Sequence, residues 1–308
     1  MTPNQDALTE RLLAPHQAEI EAYLWALRAE VDAVLAPRLP AFSNKAYPLG
    51  RCREIRDGVF DRILAAVRSP DGDVPTLLRQ FIAAGGVGRK VWGDLRGAYF
   101  QNAMQLGAWY VDVANDTVTP TKPKVEIVAF AQSDMRPILD FQHFAAVATR
   151  YWEVTVYANT VLPRLAPMFP LISAGGGGQV WLGAACDPMI ELTRRDGFRP
   201  AEQALAVLPP PPHSIAKAVS DRAAAMEDPL LAQTPGIWHA AERRFDEDTV
   251  TSEVGRGAPH AVHAVGGAGD AIGQCRIYRD QGLGTDDVFR DACVAALLKL
   301  SKTDQPPV

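Results

Sequence analysis

The sequence predicts an α+β fold, with helices packed on an antiparallel sheet and a mostly helical C-terminal region after it. Three observations predict this. Apolar residues recur at helical spacing before residue 85. Residues 88–130 switch to Val, Trp, Tyr and Phe interleaved with polar residues, and beyond residue 140 helical spacing returns between Pro and Gly runs.

Each element follows in order. Ile20, Tyr23, Leu24, Leu27, Val31, Val34 and Leu35 mark one face of a helix over 19–35, which Pro37 and Pro40 are expected to stop. A second helix starts at about Cys52, its buried stripe being Ile55, Val59, Phe60, Ile63, Leu64 and Val67. A third spans 74–84 and ends at Gly85-Gly86. Strands are expected near 88–95, 98–106, 109–114 and 124–130, with Gly107-Ala108 turning the central hairpin. From Asp140 a long helical region runs through Val156 until Pro163, and Gly175 to Gly178 reads as a flexible joint. Helices are expected at 188–195, 200–208, 214–226 and 286–301, with a stiff spacer at Pro209–Pro212 and a poorly patterned stretch at 228–285. This gives an α+β domain over 1–135 and a helical region over 136–308.

With 308 residues and 47% hydrophobic content the chain can bury a sizeable core. A net charge of −5 supplies no broad basic surface, so nucleic acid is not an expected partner. No basic n-region precedes an apolar core at the N-terminus, and no window reaches about 18 uncharged apolar residues, so the expectation is a soluble cytoplasmic protein without a membrane partner. Cys52, Cys186, Cys275 and Cys293 lack paired spacing, which points away from a disulfide framework and a zinc knuckle.

The chemistry-bearing residues gather around the sheet. Cys52 opens a helix between Arg51 and Arg53, where the helix dipole and positive charge favour a thiolate. Asp112 follows the apolar run Trp109-Tyr110-Val111, a costly place for an acid unless Arg96 or Lys90 pairs with it. Asn115 and Asp116 stand where the strand ends, as binding groups or as turn residues bonding local backbone. Alternation sends one of Gln101 and Asn102 inward on the middle strand.

Gly50-x-Cys52 at a helix start, followed by a hairpin ending Trp109-Tyr110-Val111-Asp112, resembles the transglutaminase-like branch of the papain-like cysteine proteins over residues 45–130. The resemblance implies Cys52 as nucleophile and Asp112 as the acid that orients a base, with Gln101 or Asn102 bonding an oxyanion. The family's histidine position falls near Ala98, and no histidine lies between His16 and His143. Cys52 therefore has three readings: a small buried residue, a nucleophile using His143 or the His260/His263 pair as base, or a site with altered chemistry.

Other motifs carry less. His260-x-x-His263 is an incomplete metal ligand set, and Gly266–Gly273 lacks the Lys-Ser/Thr ending of a phosphate loop, so no metal or other cofactor is expected. Arg150-Tyr151-Trp152 reads as a packed aromatic helix face. The functional expectation is an enzyme acting on a small molecule or peptide in an interdomain cleft, a cysteine-dependent hydrolase or acyltransferase. The alternative is a non-catalytic binding or assembly protein on a papain-like scaffold that lost its histidine. The sequence leaves the oligomeric state open.

Overall fold

The computed structural model describes residues 3–42, 45–239, 244–246 and 267–301. It forms two compact units, Met1–Pro137 and Ile138–Val308. Among the described residues no helix is long and apolar enough to cross a membrane.

The first unit opens with α1 (Pro3–Leu8), a π-turn at Thr9–Leu13 and a 3₁₀ turn at Ala14–His16, then α2 (Gln17–Arg38). Ile20, Leu24, Leu27 and Val31 form the buried stripe of α2. Pro37 does not stop this helix but sits inside its last turn, where a missing N–H sacrifices a single terminal hydrogen bond. A small hairpin, β1 (Ala41–Phe42) with β2 (Lys45–Ala46), leads to α3 (Cys52–Arg68) and α4 (Asp73–Ala83).

The sheet comprises β3 (Gly88–Leu95), β4 (Tyr99–Leu106), β5 (Trp109–Asp112), β6 (Glu126–Ala129) and β7 (Met135–Arg136), in the order β6-β5-β4-β3-β7 and antiparallel throughout. Its central hairpin turns at Gly107, whose φ of +59° suits a residue without a side chain; a Cβ there would strike Thr9 Oγ1 and the Phe81 ring. Thr9 Oγ1 also accepts from Ala108 N, tying the N-terminal turn to the hairpin.

The sheet curls because its two edge strands are joined by one short helical turn, α5 (Phe130–Ser133). Laid flat, the outer strands of five would stand about 19 Å apart at a spacing of about 4.8 Å, far beyond a single helical turn. Closure relies on Gly93. A Cβ at that position would lie 2.1 Å from the carbonyl oxygen of Arg136 on β7. Gly93→Ala is accordingly expected to destabilise the first unit by about 1–3 kcal/mol, as forced overpacking does, and to raise hydrogen exchange at Met135 and Arg136. Unchanged exchange there in the variant would refute this role for Gly93.

Curling gives the sheet two different faces. The outer face packs Met104, Trp109, Val111 and Val113 on Leu24, Leu27, Val31, Val59, Leu78 and Phe81 of the helices. The concave face carries a smaller cluster, Leu95, Ala103, Tyr110 and Met135, flanked by Val91, Tyr99, Val128 and Phe130.

The second unit contains α6 (Phe141–Trp152), α7 (Asp187–Arg194), α8 (Arg199–Val207), α9 (His213–Ala224), α10 (Ala268–Asp280) and α11 (Asp287–Ser301). It also holds strands that helical spacing did not predict: β8 (Thr155–Ala158), β9 (Leu171–Ala174) and β10 (Val180–Gly183) form an antiparallel sheet, and β11 (Ile237–His239) pairs with β12 (Arg244–Asp246). Val156 thus belongs to a strand. Glu153, at φ +55°, ends α6 in a left-handed turn, and the β-branched run Val154-Thr155-Val156 continues extended. Gly175 to Gly178, expected as a flexible joint, forms the tight connection between β9 and β10, and Gly267 caps α10, so most of the glycine-rich run is helical. An edge-to-face aromatic cluster of Phe198, Trp238, Tyr278 and Phe289 forms part of this unit's core. In the Arg150-Tyr151-Trp152 segment Trp152 stands edge-on to Phe144 with Tyr151 beside it, while Arg150 is exposed.

Candidate functional site

Cys52 is the first residue of α3, half-buried against the outer face of β4. Its Sγ accepts a hydrogen bond of 3.4 Å from Nδ2 of Asn102. Asn102 is held in turn by Arg56, one helical turn after Cys52, whose Nη2 donates to Asn102 Oδ1 at 3.1 Å while Nη1 donates to the carbonyls of Val91 and Ala103. The residue facing the thiol is therefore Asn102. Ala98, near the histidine position that the family resemblance implies, lies in the turn joining β3 and β4. Burial pushes the Cys52 thiol above its ordinary pKa; the Asn102 amide opposes this, and the charges of Asp112 and Glu54 reinforce it. The expected activation by Arg51 is not realised, since that guanidinium is engaged by Glu54 and the Ala41 carbonyl.

Asp112 occupies the other face. Met104 pairs with Val111, so the next position on β5 aligns with Ala103 and shares the concave side with Gln101. The carboxylate is wholly buried. Its Oδ2 accepts from Gln101 Nε2 at 2.5 Å and from the Tyr110 hydroxyl at 3.1 Å, and its Oδ1 accepts from Ala114 N at 2.7 Å. Burial raises its pKa to about 6 against those three hydrogen bonds. The cations proposed as its partners go elsewhere: Arg96 pairs with Glu126 at 3.3 Å, and Lys90 with Asp57 at 2.8 Å. Gln101 and Asn102 both find work, on opposite faces of one strand. Gln101 Oε1 is buried without a hydrogen-bond partner.

Asn115 and Asp116 fix the chain after β5. Asn115 Nδ2 donates to the Pro123 carbonyl, and Asp116 forms a two-point ion pair with Arg28 of α2, Nη1 to Oδ1 at 2.9 Å and Nη2 to Oδ2 at 3.2 Å. Both side chains thus close the loop rather than face an open site. His143 belongs to the second unit, where its Nδ1 accepts from Leu139 N. His260 and His263 lie outside the described residues, and among those described no cluster of three or more His, Cys, Asp or Glu is arranged to hold a metal ion.

A recess of about 550 Å³ opens beside the concave face, lined by Gln5, Val87, Arg89, Gln105, Phe130, Ala131, Asp134 and Met135. Nothing in the sequence pattern marked it. Arg89 and Gln105 are cross-strand partners on β3 and β4, with Arg89 Nε donating to Gln105 Oε1 at 2.8 Å and Gln105 Nε2 donating to the Gly107 carbonyl at 2.8 Å. That chain of bonds fixes the guanidinium. The one available signal was parity, since odd-numbered residues of β3 and β4 share the concave face.

The first unit thus belongs to the α+β class with a helix layer on one face of a curled antiparallel sheet and a recess beside the other. Searches against protein-family models, curated proteins and solved structures find no match to this chain.

Proposed function

We propose that the chain is a non-catalytic binding protein for a small organic molecule, with its site in the recess beside the concave face of the first unit. The observation that carries this reading is the recess itself. Its size falls within the range of about 300–1,000 Å³ usual for ligand pockets, its walls mix apolar side chains with a pinned guanidinium, and it stands at the mouth of a curled sheet.

Thiol chemistry is the less favoured reading. A cysteine nucleophile needs a base within hydrogen-bond reach and a depressed pKa. Cys52 has an amide as its neighbour and a raised pKa, and Asp112 lies across the sheet. Labelling of Cys52 by iodoacetamide is therefore expected to be slower than that of free cysteine at pH 7, with no acceleration near pH 6. Fast labelling at pH 6 would restore the enzyme reading.

Binding is tested directly by saturation-transfer NMR with a panel of small amphipathic molecules. Binders are expected to lose their signal with Ala131→Trp, which fills the recess, and to keep it with Cys52→Ala. Signals lost in the Cys52 variant but kept in the Ala131 variant would overturn the proposal.

A further inference from the structure

Arg89 stands apart among the arginines of the sheet. Arg96 is paired with Glu126 and Arg136 with Asp134, whereas Arg89 uses only its Nε, leaving Nη1 and Nη2 without a hydrogen bond or ion pair among the described residues. Gln105, which receives that Nε, is buried and anchored at its other end by the Gly107 carbonyl. The guanidinium is thus held at its inner edge while its two outer nitrogens remain open to a ligand. A planar pair of N–H donors matches a carboxylate, which accepts two parallel hydrogen bonds.

The remaining lining sets the rest of the ligand. Gln5 spends both ends of its amide on backbone, Nε2 on the Gly85 carbonyl and Oε1 on Val87 N, so it offers little to a guest. Val87, Phe130, Ala131 and Met135 supply apolar surface. Met135 pairs with Leu95, six positions along β3 from Arg89, so the lining extends along the strand away from the cation. The single acid of the lining, Asp134, is balanced by Arg136. One unspent positive charge beside an elongated apolar wall suits a single negative charge on an extended body.

We propose that the ligand is a monocarboxylate with an extended apolar chain, its carboxylate held at two points by Nη1 and Nη2 of Arg89 and its chain lying along Phe130, Ala131 and Met135. This rests on the binding reading above and adds the chemical class of the guest. Gln105 acts as a positioning residue for Arg89.

Calorimetric titration of the full chain with octanoate and with 1-octanol tests it, the two probes sharing a chain and differing in head group. Octanoate is expected to bind at least about tenfold more tightly than 1-octanol. Arg89→Gln should remove that difference without altering the circular dichroism spectrum or the melting temperature, because Arg89 is exposed. Arg89→Lys, which keeps the charge and loses the planar fork, should retain only part of it. Equal binding of the two probes, both blocked by Ala131→Trp and both indifferent to Arg89→Gln, would overturn the carboxylate assignment while leaving the recess as a binding site. Failure of both probes to bind, together with no Ala131-sensitive binder in the NMR panel, would overturn both.

Discussion

Replacing Arg28 by leucine is expected to destabilise the first unit by about 3–5 kcal/mol, the usual cost of removing one partner of a buried ion pair. The Arg28 side chain is fully buried and joins α2 to the segment that follows β5. Nε donates to Asp32 at 2.7 Å, Nη1 donates to the Val113 carbonyl at 2.6 Å, and Nη1 and Nη2 together clamp Asp116. Asp32 additionally accepts from Lys124 Nζ at 2.7 Å and from the Tyr47 hydroxyl. Loss of Arg28 would strand Asp116 without a cation in a nearly dry site. Hydrogen exchange over β5 and the 113–117 segment should report the loss in this unit specifically. Combining Arg28→Leu with Asp116→Leu should recover part of the stability, since apolar pairs replace buried ion pairs well. A loss under 1 kcal/mol in the single variant would show that water already shields the pair.

Asp112→Asn is expected to do the reverse and stabilise the unit at pH 7 by about 1–3 kcal/mol. A folded-state pKa of about 6 against an ordinary 3.8 corresponds to a penalty of about 3 kcal/mol for keeping the carboxylate ionised at neutral pH. Between about pH 4 and pH 6 the folded protein holds a proton that the unfolded chain has released. Stability therefore falls as pH rises through this window, and the full penalty is present above it. Asparagine removes the charge and adds a donor where Gln101 Oε1 lacks one; rotation of the Gln101 amide would let the two side chains bond, while Oδ1 continues to accept from Ala114 N. Urea unfolding from pH 4 to 8 should show a shallower slope in the variant. A variant less stable at pH 7 and equally pH-dependent would place the carboxylate's hydrogen bonds above its burial cost. Asp32 works in the opposite sense: burial raises its pKa, but the bonds from Arg28, Lys124 and Tyr47 outweigh this and hold it below the usual value. Its contribution is lost as pH falls below the ordinary carboxylate range, so the unit should be most stable at mildly acidic pH.

Much of the sheet was legible because each strand announces itself locally. The expected spans 88–95, 98–106, 109–114 and 124–130 overlap strands found at Gly88–Leu95, Tyr99–Leu106, Trp109–Asp112 and Glu126–Ala129, bounded by turn residues whose conformations are set within a few positions. The candidate site was partly legible. A two-residue turn at Gly107-Ala108 pairs Met104 with Val111, and continuing that count puts Asp112 beside Ala103, on the side of Gln101 and away from Asn102. Hairpin register alone thus separated the acid from any residue sharing a face with Asn102. Which face would meet Cys52 was not contained in that count. Arg56 was hidden for another reason: it lies within the apolar stripe of α3, where a guanidinium is tolerated only because strand carbonyls and Asn102 receive it.

The α+β class, most helix positions, the four main strands and the turn at Gly107 follow from periodicity and conformational preference over fewer than about twenty residues. Packing between distant segments is what puts Asn102 against the thiol, buries Asp112 on the opposite side, brings Arg28 to Asp116 across 88 positions, and sets α5 between the sheet edges beside the Arg89 recess. These depend on which surfaces meet. Alternation along a strand says which residues share a side, whereas the partner of that side is set by helices and loops far away in the chain, through burial and ion pairing that no local pattern encodes.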